Sequence, residues 1–370
     1  MKISELYTPA ILLDLDAMQD NLTRYAAEAK KYGKQIWPML KTHKSLELAK
    51  AQVDAGATGF LCGTLDEAEC LAEHGYEHLM YAYPVATDVS IGRALKLAAK
   101  CDFIIRLDDP DGAALINAAA AKAGQKIQYV IIIDCGLHRF GVKPEEAGAF
   151  AKKLAAFDHL VFRGISSHSG QVYGVSDKSG VPGCAKEECE ALHTAIASLK
   201  EAGFTPEIVS TGSTPTFWES VKDPAISIFH PGNYIFNDAI QLSTETATVE
   251  QCALYVLASV VSHPREDTYI CDAGTKCFGL DQGAHGNASI KGYGHVIGHP
   301  ELEVNGLSEE VGKLHVHGET TLKVGDKIKI IPNHSCSSAN LTSYYVGVHG
   351  DEVDHLIHVD MRSNSTTKNV

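Results

Sequence analysis

The stretch FIIRLDDPDGAALINAAAAKAGQKIQYVIIID, residues 103–134, sets the pattern of the first half of the chain. It opens with a β-type run at Phe103–Leu107, closes with another at Ile127–Asp134, and joins the two by a helical stretch. A strand, a helix and a strand in this order favour two parallel strands in one sheet. The same alternation extends over the first 230 residues, which predicts a parallel sheet, either open or closed.

Nine β-type runs lie in this region, and a closed barrel of the TIM type needs eight. The nine runs are Ala10–Leu15, Ile36–Leu40, Gly59–Cys62, Leu79–Tyr81, Phe103–Leu107, Ile127–Asp134, Leu160–Ser166, Ile208–Ser210 and Ile226–Phe229. The first run, before Asp16, is the natural surplus and could pair with a second domain. Counting from Ile36, eight repeats favour closure, so we predict an α/β fold with a (β/α)8 barrel.

The pattern of the sequence changes after Phe229. Strand-like runs with few long helical periods follow at Leu254–Val261, Tyr269–Asp272, Lys327–Ile331, Tyr344–Val348 and Leu356–Val359. We therefore predict a barrel domain over residues 1–244 and an all-β domain over residues 245–365. Ser363–Val370 is expected to be a loose tail.

The composition is that of a globular protein that handles small molecules. The 370 residues include 32 basic and 46 acidic side chains, a net charge of −14, and no obvious basic cluster, which argues against nucleic acid and anionic membrane surfaces as partners. The amino terminus lacks the features of a secretory signal, and no apolar run approaches the ~20 residues of a membrane span. Ten scattered cysteines are typical of reduced thiols. We expect a cytoplasmic protein with a small-molecule partner.

Lys41 is the first candidate for chemistry. In WPMLKTHK it follows the first barrel strand, at the carboxyl end where such barrels place their active sites. His43 and Lys44 flank it, and their positive charge would disfavour protonation of the Lys41 amine and help to free it as a nucleophile. A lysine considered alone is usually a solvated surface residue, so the interpretation depends on position and neighbours.

Two polar loops follow the seventh and eighth predicted barrel strands. STGSTPT at Ser210–Thr216 offers backbone N–H groups and hydroxyls, and Pro215 indicates a short helix whose positive end would favour a phosphate. HPGNY at His230–Tyr234 adds a glycine turn and the hydroxyl of Tyr234. These could be two ordinary polar loops, but barrels often hold phosphate here. A nucleophilic Lys41 opposite a phosphate site implies a phosphorylated aldehyde, either a sugar phosphate or pyridoxal phosphate.

A possible metal site lies in PNHSC at Pro332–Cys336, which closes a predicted strand of the second domain. Residues two apart on a strand point to one face, so His334 and Cys336 can bind one metal ion. A thiolate with an imidazole favours zinc, with manganese or magnesium as alternatives, and two protein ligands leave positions open for water or substrate. A buried cysteine beside an unrelated histidine is the simpler alternative. HVH at His315–His317 is a rival pair with the same spacing.

Six motifs together resemble the fold-type III pyridoxal-phosphate enzymes of the D-serine dehydratase and D-threonine aldolase group. The motifs are KTHK after the first barrel strand, IDCGLHRFGV at Ile133–Val142, SSHSGQVYG at Ser166–Gly174, STGSTPT, HPGNY and PNHSC. They fall in the same order as in that group and span nearly the whole chain. The resemblance implies an alanine-racemase-like barrel followed by a β domain, in agreement with the independent strand count.

The resemblance also implies roles for single residues. It implies that Lys41 binds pyridoxal phosphate, that Arg139 lies near the phenolic oxygen of the cofactor and that Tyr173 lies near the pyridine nitrogen. It places the phosphate at Gly212, Ser213 and Thr214, and Tyr234 is a further cofactor-binding candidate. It further implies a metal ion on His334 and Cys336, and a homodimer whose active sites form where the β domain meets a barrel.

The chemistry of the cofactor limits the set of possible reactions. Pyridoxal phosphate provides an electron sink, and the protein selects which bond at Cα breaks. For a D-3-hydroxy amino acid, dehydration would use Lys41 to take the α-proton and zinc to help the β-hydroxyl leave. Aldol cleavage would instead need a base for that hydroxyl, and His168 could serve. Aldolases of this group usually carry Asp where Cys336 stands. The sequence therefore favours a D-serine-type dehydratase giving a 2-oxo acid and ammonia over a D-threonine aldolase giving glycine and an aldehyde, with an amino-acid racemase third.

Three positions depart from the pattern of the group. Trp37-Pro38-Met39 stands where Arg-Pro-His is typical, Gln171 stands where many relatives have a second histidine, and Val311 stands where a histidine is common. These departures bear on substrate specificity and on the assigned reaction. A catalytically silent cofactor-binding protein is the alternative from a different functional class.

Overall fold

The protein is described by a computed structural model over residues 1–283 and 289–362. Its strands are β1 (Ala10–Asp14), β2 (Gln35–Ile36), β3 (Phe60–Cys62), β4 (His78–Tyr81), β5 (Asp102–Leu107), β6 (Ile127–Ile132), β7 (Leu160–Ser166), β8 (Ile208–Thr211), β9 (Ile228–Phe229), β10 (Leu254–Arg265), β11 (Thr268–Cys271), β12 (Gly294–Val296), β13 (Leu302–Leu307), β14 (Gly312–Val316), β15 (Lys327–Pro332), β16 (Tyr344–His349) and β17 (Glu352–His358). Its α-helices are α1 (Leu15–Lys31), α2 (Leu46–Asp54), α3 (Leu65–Glu73), α4 (Asp88–Ala98), α5 (Pro110–Ala123), α6 (Ala147–Leu154), α7 (Val181–Glu201), α8 (Phe217–Ser220), α9 (Ala239–Ser243), α10 (Thr275–Phe278) and α11 (Ser335–Leu341). The tail expected at Ser363–Val370 lies outside the described residues, as do small parts of the predicted domain 245–365.

Eight parallel strands form the barrel, in the spatial order β2-β9-β8-β7-β6-β5-β4-β3. Backbone hydrogen bonds close the gap between β2 and β3, because the N–H groups of Thr58 and Leu61 donate to the carbonyls of Ile36 (3.1 Å) and Pro38 (2.9 Å). The barrel prediction is confirmed. The first barrel strand is shorter than the predicted run Ile36–Leu40, since Pro38 has no N–H to donate to a sheet.

The second sheet is built mainly from the carboxyl-terminal part of the chain. Strand β1 lies inside it, antiparallel to β10 and parallel to β16, so the amino-terminal strand is absent from the barrel. The chain passes directly from β1 into the barrel through α1, which starts at Leu15. The side chain of Asp14 caps this helix by accepting the N–H groups of Asp16 (3.1 Å) and Ala17 (3.0 Å).

The barrel interior is a packed core of its own. It is formed by alternate, inward-facing strand residues, which are Trp37, Leu61, Met80, Ala82, Ile104, Val130, Ile208 and Ile228. The opposite faces of the same strands pack on the surrounding helices in a larger apolar cluster. The carboxyl ends of the strands lie above this packed interior and line a cavity.

The second domain covers that carboxyl end of the barrel. Asn340 in α11 donates from Nδ2 to the carbonyl of Lys41 (3.1 Å), and the hydroxyl of Tyr345 donates to the carbonyl of His43 (2.8 Å). These bonds fix the loop after β2 against α11 and β16. Residues of both domains consequently meet at one cavity.

Two further expectations concern the whole chain. In the described parts, no helix is long and apolar enough to cross a membrane. All ten cysteines are free thiols, four of them buried and six half-buried, which agrees with the expectation of reduced thiols.

Candidate active site

A cavity of about 190 Å³ lies where the carboxyl ends of the barrel strands face the second domain. Eight of the ten residues singled out in the sequence line it, namely Lys41, Arg139, His168, Tyr173, Gly212, Ser213, His334 and Cys336. They come from four different loops of the barrel, those after β2, β6, β7 and β8, and from the second domain. Thr214 and Tyr234 are not among the lining residues.

Lys41 sits in a single 3-10 turn, Leu40–Thr42, directly after β2. Gly63 faces it so closely that a Cβ at that position would lie 2.8 Å from Lys41 Cβ, and a larger residue there would displace the lysine. Lys44 turns away from the cavity and pairs with the buried carboxylate of Glu67 at 3.3 Å. Burial lowers the pKa of His43 to about 4, so its ring is neutral at pH 7. The flanking positive charge expected from the sequence is therefore largely offset, because His43 is neutral and the charge of Lys44 is balanced by Glu67.

His168 follows β7 and faces the same cavity. Its Nδ1 is hydrogen-bonded to the carbonyl of Gly212, so the proton is on Nδ1 and Nε2 is left as an acceptor. Burial, followed by the positive charge of Lys41, lowers the pKa of His168 to about 3. The ring is a neutral, weakly basic acceptor at physiological pH.

The loop after β8 approaches the neighbouring loop closely. A Cβ on Gly212 would lie 2.6 Å from the carbonyl oxygen of His230, so only glycine fits. In the described chain the N–H groups of Gly212 and Ser213 donate to no other residue, and they are free for an anion. Helix α8 starts at Phe217 rather than Pro215 and has one turn, so the expected helix dipole contributes little here.

Thr214 and Tyr234 lie just behind this loop. The N–H of Thr214 donates to the hydroxyl of Tyr173 (3.3 Å), and Thr214 Oγ1 accepts the N–H of Tyr234 (3.1 Å). The hydroxyl of Tyr234 faces away from the cavity and accepts a hydrogen bond from Gln52 (3.2 Å). The two residues therefore support the loop, and a direct cofactor contact by the Tyr234 hydroxyl stays a prediction that its position does not favour.

His334 and Cys336 lie on the opposite side of the cavity. The expected strand placement is wrong, because β15 ends at Pro332 and His334 is the N-cap of α11, with Cys336 in its first turn. His334 Nδ1 lies 3.3 Å from Oδ2 of the buried Asp238, and Cys336 Sγ is 3.4 Å from Thr42 Oγ1. The helix start brings both side chains to the cavity even though no strand does.

The electrostatics of this pair favour metal binding. Burial raises the pKa of the Cys336 thiol, but the positive charges of His334 and Lys41 outweigh this effect and hold it below its usual value. Burial opposes the charged form of His334, but Cys336 and Asp238 outweigh it and raise the pKa of His334, so binding of a metal ion would displace a proton from this ring. A thiolate beside the resulting neutral imidazole is a donor pair that suits zinc. No group of three or more metal-binding side chains is present in the described residues. Two protein ligands would thus leave the remaining positions to water or substrate.

The rival pair HVH lies elsewhere. His315 is in β14, and His317 follows that strand, with Nε2 2.9 Å from Glu303 Oε2. Neither histidine lines the cavity. Among the departures from the group, Met39 lines the cavity, whereas Trp37 packs in the barrel interior.

Sequence reasoning missed two basic residues at the base of the cavity. His230 lines it with a buried Nε2 that has no partner in the described chain, and its Nδ1 bonds the carbonyl of Trp37 (2.8 Å). Arg106 in β5 also lines it and is buried. Both had a signal, since His230 opens the HPGNY loop and Arg106 is the single charge within a predicted inner strand.

The fold and this cavity agree with the comparisons to known proteins. A family model described as alanine racemase, N-terminal domain, matches residues 13–239, and one described as putative serine dehydratase domain matches residues 253–348. The chain belongs to this family, the fold-type III pyridoxal-phosphate enzymes of the D-serine dehydratase and D-threonine aldolase group. Within that class it is a lyase.

Three relatives cover almost the full length of the chain. It is 30% identical to 3-hydroxy-D-aspartate aldolase of Paracoccus denitrificans (strain Pd 1222), over 98% of this chain and 94% of that protein. It is 29% identical to D-threo-3-hydroxyaspartate dehydratase of Delftia sp. (strain HT23), over 90% and 92%. It is 28% identical to D-serine dehydratase of Dictyostelium discoideum, over 94% and 95%.

Solved structures of two such enzymes have the same fold. D-threonine aldolase from Filomicrobium marinum superposes with a TM-score of 0.90 at 26% identity, covering 99% of this chain and 98% of that one. D-threo-3-hydroxyaspartate dehydratase from Delftia sp. HT23 gives a TM-score of 0.90 at 28% identity, covering 96% and 98%. The similarity includes both dehydratases and aldolases, so the choice between these reactions must come from the site.

Proposed function

We propose that this chain is a pyridoxal-phosphate- and zinc-dependent dehydratase of D-3-hydroxy amino acids, giving a 2-oxo acid and ammonia. The observation that carries the proposal is the convergence of Lys41, the free N–H groups of Gly212 and Ser213, and the His334–Cys336 pair on one cavity. An amine, an anion site and a metal-type donor pair are the three elements that this chemistry needs.

The residues present fit the cofactor. The glycine-dependent approach of Gly212 to His230, with N–H groups that have no partner in the described chain, provides a place for a phosphate. We assign Lys41 to hold the cofactor's aldehyde and to take the proton from Cα of the substrate. Arg139 and Tyr173 would contact the ring, and His334 and Cys336 would hold zinc. When bound, pyridoxal phosphate supplies an electron sink for the broken bond at Cα, and zinc supplies Lewis-acid chemistry for loss of a hydroxyl group.

Two features favour dehydration over aldol cleavage. A thiol at Cys336 suits zinc. In a metal-free form of D-threo-3-hydroxyaspartate dehydratase, alanine replaces a cysteine, and a second solved mutant of that enzyme carries alanine in place of the histidine two positions before this cysteine. His168 is the candidate base for aldol cleavage, but burial and the charge of Lys41 lower its pKa to about 3, which makes it a weak base. As a neutral acceptor, His168 can still orient the substrate hydroxyl.

A product assay tests the proposal. The holoenzyme with zinc is incubated with D-serine, D-threonine and D-threo-3-hydroxyaspartate, and ammonia, 2-oxo acid, glycine and aldehyde are measured. We expect equal amounts of ammonia and 2-oxo acid. Glycine with an aldehyde would transfer the assignment to the aldolase alternative, and loss of the D-isomer without either product set would indicate a racemase.

We also propose that the active form is a cytoplasmic homodimer. The cavity opens beside exposed apolar side chains such as Phe140, which a second copy could cover. Sedimentation should give about twice the chain mass of 39.8 kDa. A monomer with full activity would contradict this.

A further inference from the structure

Arg106 is a buried arginine whose hydrogen-bonding capacity is largely unused. It lies on the inner face of β5 at the base of the cavity and is only 5% exposed. Its guanidinium donates to the carbonyls of Ala82 (3.3 Å) and Ser167 (3.5 Å), and Nε has no partner in the described chain. A guanidinium has five N–H donors, so two long bonds to neutral oxygens leave most of them unsatisfied.

Arg106 also has no counter-ion among the residues that the structure describes. Two other arginines, both half-buried, do form ion pairs at 2.7 Å, Arg93 with Glu69 and Arg163 with Glu207. No described carboxylate lies within ion-pair distance of Arg106. The acidic residue of the cavity wall, Asp134, is already bound to His138 at 2.7 Å. Burial lowers the pKa of Arg106 to about 10, so it keeps its charge at neutral pH. An unpaired buried charge is costly, and a ligand that supplies the missing anion would remove that cost.

Arg106 lies apart from the groups that we assign to the cofactor. Lys41 follows the first barrel strand, Arg106 is on the fourth, and the lining residues between them are uncharged, namely Leu61, Ala82 and Tyr83. The free N–H groups of Gly212 and Ser213 lie after the seventh strand, at another part of the rim. Arg139, the other arginine of the wall, is exposed at the mouth of the cavity. Arg106 is thus the deep cation of the cavity, three strands from Lys41 and beside the loop after β6, which holds Asp134 and Arg139.

We propose that Arg106 binds a second carboxylate, carried by the side chain of the substrate, so that the preferred substrate is a dicarboxylic 3-hydroxy amino acid of the hydroxyaspartate class. The proposal rests on the proposed function for placing an amino acid in this cavity. A planar guanidinium matches a carboxylate with two parallel N–H···O bonds, and the unused donors of Arg106 provide them. The side chain of serine offers one neutral hydroxyl oxygen and no anion, so it cannot form this paired interaction.

Binding of two unreactive amino acids isolates this role. D-Aspartate and D-asparagine have nearly the same shape and lack the 3-hydroxyl, and only the first has the second carboxylate. Their dissociation constants are measured by calorimetry on the holoenzyme and on the variants Arg106→Met and Arg106→Lys. Arg265→Met is the matched control, because it removes one positive charge at an exposed position at the end of β10.

The holoenzyme should bind D-aspartate about 10- to 100-fold more tightly than D-asparagine, the range for a charge-assisted hydrogen bond. The preference should fall to about one in Arg106→Met, stay partly in Arg106→Lys and remain unchanged in Arg265→Met. Equal affinities of the wild type for D-aspartate and D-asparagine would overturn the proposal. It would also be overturned if Arg106→Met lost affinity for both amino acids equally, or if this variant lost affinity for pyridoxal phosphate. If Arg106→Met does not fold, a full preference in Arg106→Lys overturns it and a reduced preference supports it.

The same experiment keeps this proposal apart from the proposed function. If the preference depends on Arg106 but no D-3-hydroxy amino acid gives ammonia or glycine, the lyase assignment fails and the role of Arg106 stands. If D-serine is dehydrated and no preference for D-aspartate exists, the lyase assignment stands and the role of Arg106 is refuted.

Discussion

Oε2 of Glu188 accepts a hydrogen bond from Oγ1 of Thr216 at 3.2 Å, directly beneath the loop to which we assign the phosphate. The carboxylate is fully buried and also accepts Ser220 Oγ (3.0 Å), the N–H of Ser169 (3.1 Å) and the hydroxyl of Thr211. Four donors from three segments thus meet at one side chain of α7. Such a fully satisfied buried carboxylate fixes the loop from below without touching the cavity.

Replacing Glu188 should therefore loosen the phosphate loop. Glu188→Leu leaves four buried donors without an acceptor, which should cost roughly 4 kcal/mol or more of unfolding free energy. We expect the affinity for pyridoxal phosphate to fall at least tenfold in the protein that remains folded, as measured by cofactor titration. Glu190→Ala, at an exposed position on the same helix, is the control and should change neither quantity. Unchanged cofactor affinity in Glu188→Leu would show that the loop holds its shape without this carboxylate.

The assignment of Lys41 can be tested by chemical labelling. Reduction of the holoenzyme with borohydride fixes the cofactor to the lysine that holds it, and peptide mapping identifies that residue. We expect the label on Lys41, because Lys44 is ion-paired with Glu67 and Lys276 is paired with Glu310 at the surface. Lys41→Arg should abolish labelling while Lys44→Arg keeps it. A label on Lys44 or Lys276 would refute the assignment.

Buried neutral histidines should make the protein sensitive to acid. In the fold, His43 accepts the N–H of Ser45 at Nδ1 (3.1 Å) and its Nε2 bonds Gln52 (3.1 Å), so a second ring proton would oppose the Ser45 donor. Burial lowers the pKa of His43 to about 4, against an ordinary value near 6.5 in the unfolded chain.

The direction in which the free energy of unfolding changes with pH follows from proton binding at His43. Between pH 6.5 and pH 4 the unfolded chain binds more protons at this histidine than the folded one, so stability is present at higher pH and is lost as the pH falls through this window. From pH 7 to pH 5 the loss should be roughly 2 kcal/mol for His43. Chemical unfolding at both pH values measures it, and His43→Gln should show a weaker pH dependence than the wild type. An equal dependence in both proteins would assign the effect to other groups.

The residues of the barrel and most of the cavity could be predicted because they depend on local patterns. Strands at regular spacing fix a barrel, and a barrel brings the ends of its strands together, so motifs that follow the strands must converge. Lys41, His168 and Gly212 illustrate this, since each lies within a few residues of a strand end. Their convergence needs no knowledge of how side chains are packed.

Other parts of the site depend on contacts between distant residues and could not be predicted. The carboxylate of Glu67 balances the positive charge of Lys44 beside Lys41, and nothing in the local sequence reveals this ion pair. The hydroxyl of Tyr234 turns to Gln52, which lies 182 positions earlier. Strand alternation alone could have placed Arg106 on the inner face of the barrel. The sequence of one strand, however, does not show whether a carboxylate elsewhere in the fold forms an ion pair with that arginine.

The last prediction concerns the cysteine of the metal-type pair. Cys336 and His334 are brought together by the start of α11, and only two protein ligands are expected, so zinc here would serve the reaction rather than the fold. Cys336→Ala should therefore keep the stability of the protein and its bound cofactor, while zinc content measured by mass spectrometry falls from about one per chain to near zero. Cys277→Ala is the control, because it removes a half-buried thiol outside the cavity, and this variant should retain about one zinc per chain.

The reaction itself separates two roles in the same variant. In the proposed mechanism, removal of the α-proton depends on Lys41 and the cofactor, so Cys336→Ala incubated with D-serine in deuterated water should still exchange the α-hydrogen. In the same mechanism, loss of the hydroxyl depends on the metal site, so pyruvate formation should fall at least 100-fold, equivalent to a rise of about 3 kcal/mol in the activation free energy. Cys336→Asp offers a carboxylate in place of the thiolate and should recover part of the activity with manganese or magnesium, which prefer oxygen ligands. Unimpaired pyruvate formation by metal-free Cys336→Ala would rule out a role for this site in eliminating the hydroxyl.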